Sequence, residues 1–341
     1  MYGSRAWLLA ASLLVVSGMV TRAHASGLAE CAVITADSQR LACFDALAAS
    51  SVHGTGGGFV TEKVAPSTPA TSDAGTAKSD AVISMRRREE SDVLDNPFSL
   101  TAYHPNYILP VTYNSKFNEE PFEAAYPDIE GDDVEAKFQI SFKAKIWDMG
   151  PRTDLWFGYT QESWWQLYND DESAPFRETN YQPEIFLTYA ADLEVFGSNL
   201  SSLSFGFNHQ SNGRGEALSR SWNRLIAGAL FEKGNLAIRP RIWWRIPEDK
   251  EDDDNRYTED YYGYGDLRLA YAWGGQTLSA MLRDNLQFDD NKGAVQLDWS
   301  FPLNRRFKGY VQYFYGYGES MIDYDVKTNR LGVGIMLTDW L

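Results

Sequence analysis

His209, Ser211 and Asn223 are the residues whose types and spacing could together do chemistry, within the stretch 205–224, FGFNHQSNGRGEALSRSWNR. In a β-strand, residues i and i+2 leave the same face, so the His209 imidazole and the Ser211 hydroxyl would stand side by side. Positions 209 and 223 are equidistant from Glu216, so a hairpin turning there would set Asn223 across from His209. A serine hydroxyl is a weak nucleophile until a neighbouring imidazole removes its proton, and the imidazole needs a third group to fix its tautomer. The chemistry such a trio supports is acyl transfer. A neutral Asn stabilises the imidazolium less than a carboxylate would, so more of the barrier must be lowered at the developing oxyanion. A hard cation on oxygen ligands fits that need, calcium above all; Ser219, Glu216 and the Arg214 carbonyl are the nearest oxygens.

Taken singly, each residue has an ordinary structural reading. A His near a strand end is commonly an interfacial polar residue, and Ser and Asn are common turn formers. What sets this trio apart is matching strand parity on a symmetric hairpin. Leu203, Phe205 and Phe207 share parity with His209 and Ser211, and Leu225, Ala227, Ala229 and Phe231 share it with Asn223. The trio therefore belongs to an apolar face.

The elements that must hold this hairpin have a period of two. Phe138, Ile140, Phe142, Ala144 and Ile146 alternate with Lys137, Gln139, Ser141, Lys143 and Lys145, which predicts a strand with one apolar and one charged face. The alternation returns in Leu236, Ile238, Pro240 and Ile242, in Leu267, Leu269 and Tyr271, in Val295, Leu297 and Trp299, and in Leu331, Val333, Ile335 and Leu337. About twelve such strands are expected, most of them long enough to cross a bilayer when tilted. Aromatics at Trp164-Trp165, Trp243-Trp244, 313–317 and Trp340 suit interfacial girdles, and Lys, Arg, Gln and Gly on the other faces suit a polar lumen. The predicted fold is all-β, an antiparallel transmembrane β-barrel over 93–341. Its apolar face meets lipid, so the trio points outward at the membrane boundary.

Ahead of the barrel, Arg5, the apolar run 6–20 and Ala23-His24-Ala25 predict a signal peptide over 1–25. Cys31 and Cys43, the only cysteines, predict a disulfide stapling a short segment over 26–50 of an exported chain. The Ser, Thr, Gly, Ala and Pro composition that follows predicts a flexible linker over 51–92. The formal net charge of -16 leaves no basic stripe for nucleic acid.

Several motifs resemble the outer membrane phospholipase A family of Gram-negative bacteria: Asn208-His209-x-Ser211-Asn212-Gly213-Arg214, Ser219-Arg220-Ser221-Trp222-Asn223-Arg224, Asp95-Asn96-Pro97-Phe98, Ser163-Trp164-Trp165-Gln166, Pro175-Phe176-Arg177-Glu178-Thr179-Asn180-Tyr181 and Gly316-Tyr317-Gly318-Glu319-Ser320. The resemblance implies a twelve-stranded outer-membrane barrel that hydrolyses acyl esters of phospholipids and lysophospholipids, requires calcium and is active as a homodimer. It puts the catalytic roles on His209, Ser211 and Asn223. It puts calcium ligands on the Arg214 carbonyl, Ser219, Ser173 and an acidic-loop aspartate, mapped to Asp254. Glu216 departs from the family pattern, where Asp is usual, and the acidic loop has no EF-hand spacing. The competing readings are a passive outer-membrane channel or structural barrel, and a soluble exported esterase built on a sandwich.

Overall fold

The computed structural model describes residues 34, 39–40, 99–115, 118–123, 130–251, 253–304 and 306–339. The expected signal peptide, Cys31–Cys43 bridge, linker, Asp95–Phe98 motif and Trp340 lie outside the described residues. What is described is a barrel.

Its strands are β1 (Thr101–Ala102), β2 (Asn106–Asn114), β3 (Val134–Asp148), β4 (Thr153–Trp165), β5 (Phe176–Val195), β6 (Ser198–Ser211), β7 (Ser221–Lys233), β8 (Leu236–Arg245), β9 (Gly265–Trp273), β10 (Gln276–Asp284), β11 (Gly293–Pro302), β12 (Lys308–Tyr317) and β13 (Lys327–Thr338). From β2 onward each pairs antiparallel with the next, and β13 returns to β2 through Leu331↔Tyr113 and Val333↔Val111. β1 lies on β3 through Thr101↔Lys143, beyond the stretch that β2 covers. β1 and β2 are thus one barrel strand interrupted at 103–105, where Pro105 has no N–H to give the ladder. The result is a closed twelve-stranded barrel. Closure leaves no open sheet edge, the condition for a sheet to sit in hydrocarbon.

Alternation along the strands gives an inside-out distribution. Ile140, Ile185, Phe205, Ile242, Leu297 and Val333 are exposed, while Glu135, Lys137, Arg177, Arg241, Glu319 and Arg330 are buried. That inversion suits a bilayer outside and a polar lumen inside, and rules against a soluble sandwich. Period two also divides the aromatic pairs: Trp244 faces out, whereas Trp164 and Trp243 are buried in the lumen. The exposed girdle aromatics are Trp147, Tyr189, Trp273 and Trp299 at one end, and at the other Tyr113, Phe176 and Tyr264 with Trp244 and Tyr315 from the expected clusters.

Short turns at 149–152, 196–197, 234–235 and 274–275 mark one end, and longer connections at 115–133, 166–175, 212–220, 246–264 and 318–326 mark the other. Outer-membrane barrels keep short turns in the periplasm, so the β6–β7 connection lies at the extracellular end.

There ion pairs cross the lumen. Glu135 joins Arg177 at 3.0 Å and Arg330 at 2.7 Å, Glu319 joins Arg330 at 2.8 Å and Lys137 at 3.3 Å, and Arg177 reaches Asp323 at 2.5 Å. Glu319 and Asp323 come from the β12–β13 connection, which is folded into the barrel mouth. A passive channel would need this path open. Burial alone would raise the Glu319 carboxyl, but Arg330 and Lys137 outweigh it and hold the group below the ordinary range. Its contribution to stability is therefore present above the unfolded carboxylate pKa and lost as pH falls through the lower folded value. Glu319→Ala, which strands part of the Arg330 and Lys137 charge, should cost about 3–5 kcal/mol in urea unfolding of the detergent-solubilised barrel.

Candidate active site

β6 and β7 pair with His209↔Asn223 and Ser211↔Ser221. The register places His209 Nδ1 2.9 Å from Asn223 Oδ1. Asn223 Nδ2 donates to Glu248 Oε1 at 3.0 Å, which leaves the amide oxygen for the ring. An amide oxygen only accepts, so Nδ1 carries the proton and Nε2 keeps its lone pair, the form that acts as a base. Ser211 follows on the same face. Parity continues downward through exposed Phe207, Phe205 and Leu203 on the outer wall.

The inner face beneath the trio is filled. Asn208 Nδ2 donates to Glu184 at 2.7 Å, and Arg224 donates to Asn208 Oδ1 at 2.7 Å and to Gln210 Oε1 at 2.9 Å. Trp222 is fully buried, donates to Gln210 at 2.9 Å and has the Arg224 guanidinium 3.9 Å from its ring centroid. These contacts lock the even positions of both strands, and with them the odd positions that carry the trio.

The connecting loop is held from within by Asn212. Its Oδ1 accepts from Arg220 N at 3.0 Å and Arg214 N at 3.3 Å, and its Nδ2 donates to Leu218 O at 2.8 Å. Gly213 takes φ +65, and a Cβ there would stand 3.1 Å from Tyr181. Glu216 also has left-handed backbone, φ 54, and opens a short 3-10 turn, Glu216–Leu218. Leu218 packs with Phe122 and Ile322. Arg214 Nη2 donates to the carbonyls of Phe176 at 3.0 Å and Arg177 at 2.6 Å, tying the loop to the start of β5.

The acidic β8–β9 connection closes over the same hairpin. Ser219 Oγ donates to Asp254 Oδ2 at 2.5 Å, whereas Asp253 is taken by Arg245 at 2.6 Å. Asn255, buried, accepts from Ser221 N at 3.0 Å and so anchors the connection to the hairpin arm. Of the oxygen donors read from the sequence, Ser219 and Asp254 are in contact across two connections, and Arg214 shares the β6–β7 connection with Ser219. Glu216 and Ser173 are exposed; Ser173 lies in the neighbouring β4–β5 connection at φ 59, its N–H on Asp170 O at 3.2 Å. Among the described residues no group of three or more His, Cys, Asp or Glu side chains converges, so a cation here would draw on hydroxyl and carbonyl oxygens besides the Asp254 carboxylate. A cavity of about 490 Å³ lies inside the barrel toward the short turns, lined by residues that include Lys143, Trp156, Arg239 and Arg268 but not His209 or Ser211. A substrate delivered by the bilayer reaches the outer wall without entering it.

The phospholipase A1 family model matches residues 83–337. The chain belongs to the phospholipase A1 family. It is 36% identical to a putative phospholipase A1 of Neisseria meningitidis, over 96% of this chain and 95% of that one. Outer membrane phospholipase A of Escherichia coli superposes with TM-score 0.68 at 38% identity, over 72% of this chain and 100% of that one; an active-site mutant of it, an asparagine replaced by alanine, gives 0.67. A Salmonella typhi outer membrane phospholipase dimer with bound calcium gives 0.67 at 39% identity, over 72% and 94%. The barrel is an outer-membrane phospholipase of this family.

Sequence reading did not find Glu248, Asn212 or Asn255 as parts of the site. Glu248 and Asn255 stood in a run of acidic residues that reads as solvated, and Asn212 beside a Gly reads as a turn former. Asn212→Ala would leave the Arg214 and Arg220 N–H groups and the Leu218 carbonyl without their partner, at about 1–3 kcal/mol of local stability. Trypsin cleavage at Arg214 and Arg220 should then accelerate roughly 10-fold or more relative to wild type, read by mass spectrometry on the folded barrel.

Proposed function

We propose that the chain hydrolyses acyl ester bonds of phospholipids and lysophospholipids in the outer membrane, with Ser211 as nucleophile, His209 as general base and acid, and Asn223 as the group that orients the ring. The observation that carries this is the His209 Nδ1 to Asn223 Oδ1 contact of 2.9 Å on the lipid-facing wall. The asparagine-to-alanine active-site mutant of the E. coli relative supports the role given to Asn223.

Ser211 Oγ attacks the ester carbonyl carbon as its proton passes to His209 Nε2. Asn223 Oδ1 holds the Nδ1 proton of the imidazolium so formed. The tetrahedral adduct collapses, the C–O bond to the glycerol oxygen breaks, and His209 returns its proton to that oxygen. Water, deprotonated by His209, then attacks the Ser211 ester and releases the fatty acid, regenerating the serine. Phe207, Phe205 and Leu203 offer an apolar wall along which acyl chains can lie while the ester stays at the boundary.

The oxygen donors around the hairpin fit a hard cation. Ser219 and Asp254 are in contact, and with the Arg214 carbonyl they would make an all-oxygen set of the kind calcium takes. When bound, calcium would supply positive charge for the developing oxyanion, which a neutral Asn leaves in need of stabilisation. Ser173 is assigned to the same shell from a second subunit, so that the active state is a homodimer. The dimeric, calcium-bound S. typhi relative supports both assignments.

In mixed micelles of detergent and phospholipid, wild type should release fatty acid and Ser211→Ala should lose roughly 10⁴- to 10⁶-fold in kcat. Equal release by the two would leave only a structural barrel. Excess chelator should abolish turnover and added calcium restore it, and Ser173→Ala should raise the calcium concentration needed for half-maximal rate. Full turnover in chelator would remove calcium from the proposal.

A further inference from the structure

The Asn223 amide has two ends of nearly the same shape and opposite chemistry, and the family chemistry proposed above works with only one of them facing the ring. With Oδ1 toward His209, the ring proton sits on Nδ1 and Nε2 is free to accept from Ser211. With Nδ2 toward His209, the amide would donate to the Nδ1 lone pair, the ring proton would move to Nε2, and the base would be blocked. His209 itself does not choose, because an imidazole accepts either partner by changing tautomer.

The choice is made at the other end of the amide. Asn223 Nδ2 lies 3.0 Å from Glu248 Oε1. An ionised carboxylate only accepts, so it tolerates the NH2 end and rejects the oxygen end. Glu248 is itself held: its Oε2 lies 3.9 Å from Arg245 Nη2, and Arg245 is fixed by Asp253 at 2.6 Å and by the Asn255 carbonyl at 3.1 Å. The backbone adds a second tie, since Ile246 N donates to Asn223 O at 2.8 Å. Both ends of Asn223 are thus gripped by the first residues after β8. The geometry points to Glu248 as a positioning residue that sets the Asn223 amide, and through it the base-competent His209 tautomer. It also places a carboxylate one residue behind the neutral Asn, so that the imidazolium formed during turnover faces Ser-His-Asn-Glu instead of a trio that ends uncharged. The inference rests on the hydrolase reading for its catalytic part and on the hydrogen bonds alone for its tautomeric part.

Two readouts separate those parts. At saturating calcium, Glu248→Ala should lower kcat by about 10- to 100-fold with KM unchanged, the scale of one hydrogen bond to a charged group. Glu248→Gln keeps an acceptor oxygen but adds a donor and loses the charge, so it should recover only part of that loss. In an Asn223→Ala background Glu248→Ala should cost nothing further, because Glu248 acts only through Asn223. An unchanged kcat in Glu248→Ala, or the same loss with and without Asn223, would overturn the inference while Ser211-dependent hydrolysis stands. Independently of turnover, ¹⁵N NMR of the neutral His209 ring should show the Nδ1–H tautomer in wild type and a raised Nε2–H fraction in Glu248→Ala. An unaltered tautomer ratio would overturn it as well. A shifted ratio in a protein that hydrolyses nothing would sink the hydrolase reading and leave the role of Glu248 in place.

Discussion

The contact between His209 and Asn223 exists in one register of two strands and in no other. Sliding β7 by one residue against β6 would put Trp222 or Arg224 on the outer wall and turn Asn223 into the lumen, since side-chain direction flips with every step. The register is fixed from both sides of the sheet. Inside, Arg224 spans Asn208 and Gln210 while Trp222 donates to Gln210, contacts that belong to this pairing alone. Outside, below the β8–β9 connection that holds Asn223, the wall has only lipid to contact, so the lumen carries most of the register specificity. The buried polar face and the exposed reactive face of this hairpin are therefore one device.

The same dependence extends around the barrel. A lipid-facing site needs a stiff wall, because only the β8–β9 connection lies over it. β3, β4, β5, β6 and β7 are the longest strands and stand together, with β5 at 20 residues, more than the 9–11 or so that crossing a bilayer requires. The surplus raises the β4–β5 and β6–β7 connections above the hydrocarbon. The Glu135, Arg177, Arg330, Glu319 and Asp323 network braces β3, β5 and β13 at this level. Charges buried this way add little net stability, but any shift that separates them is costly, and that makes the wall resist deformation.

Much of this was legible in the chain because period two is a short-range signal. Ile140 against Lys137, Leu203 and Phe205 against Asn208, and the symmetric placing of 209 and 223 about 216 all lie within one strand or one hairpin. Parity even gave the direction in which the trio points. Parity also misled where it was not applied: Trp164-Trp165 and Trp243-Trp244 read as pairs of girdle residues, yet adjacent positions must face opposite ways, and Trp164 and Trp243 are buried in the lumen. The ion-pair network joins residues as far apart as Lys137 and Glu319, and no local pattern announces such a contact. Glu248 was hidden differently. In a run of acidic residues each looks solvated, and only the return of the β8–β9 connection against β7 distinguishes Glu248 and Asp254 from their neighbours.

That connection gives the acidic loop a divided use. Glu248 faces the orienting amide, Asp253 is taken up by Arg245, Asp254 touches Ser219 and Asn255 anchors the backbone to Ser221. Three residues of one loop thus reach three different points of the hairpin, while Asp253 ties the loop back to the end of β8. A loop that merely attracted cations or stayed solvated would need none of these contacts. A loop that must hold an oxygen shell at one end and an amide at the other needs all of them at once, because displacing Asn255 would move both ends together. On the proposed reading, the orientation of the base and the assembly of the oxygen donors are coupled through about one turn of irregular chain, a single packed segment.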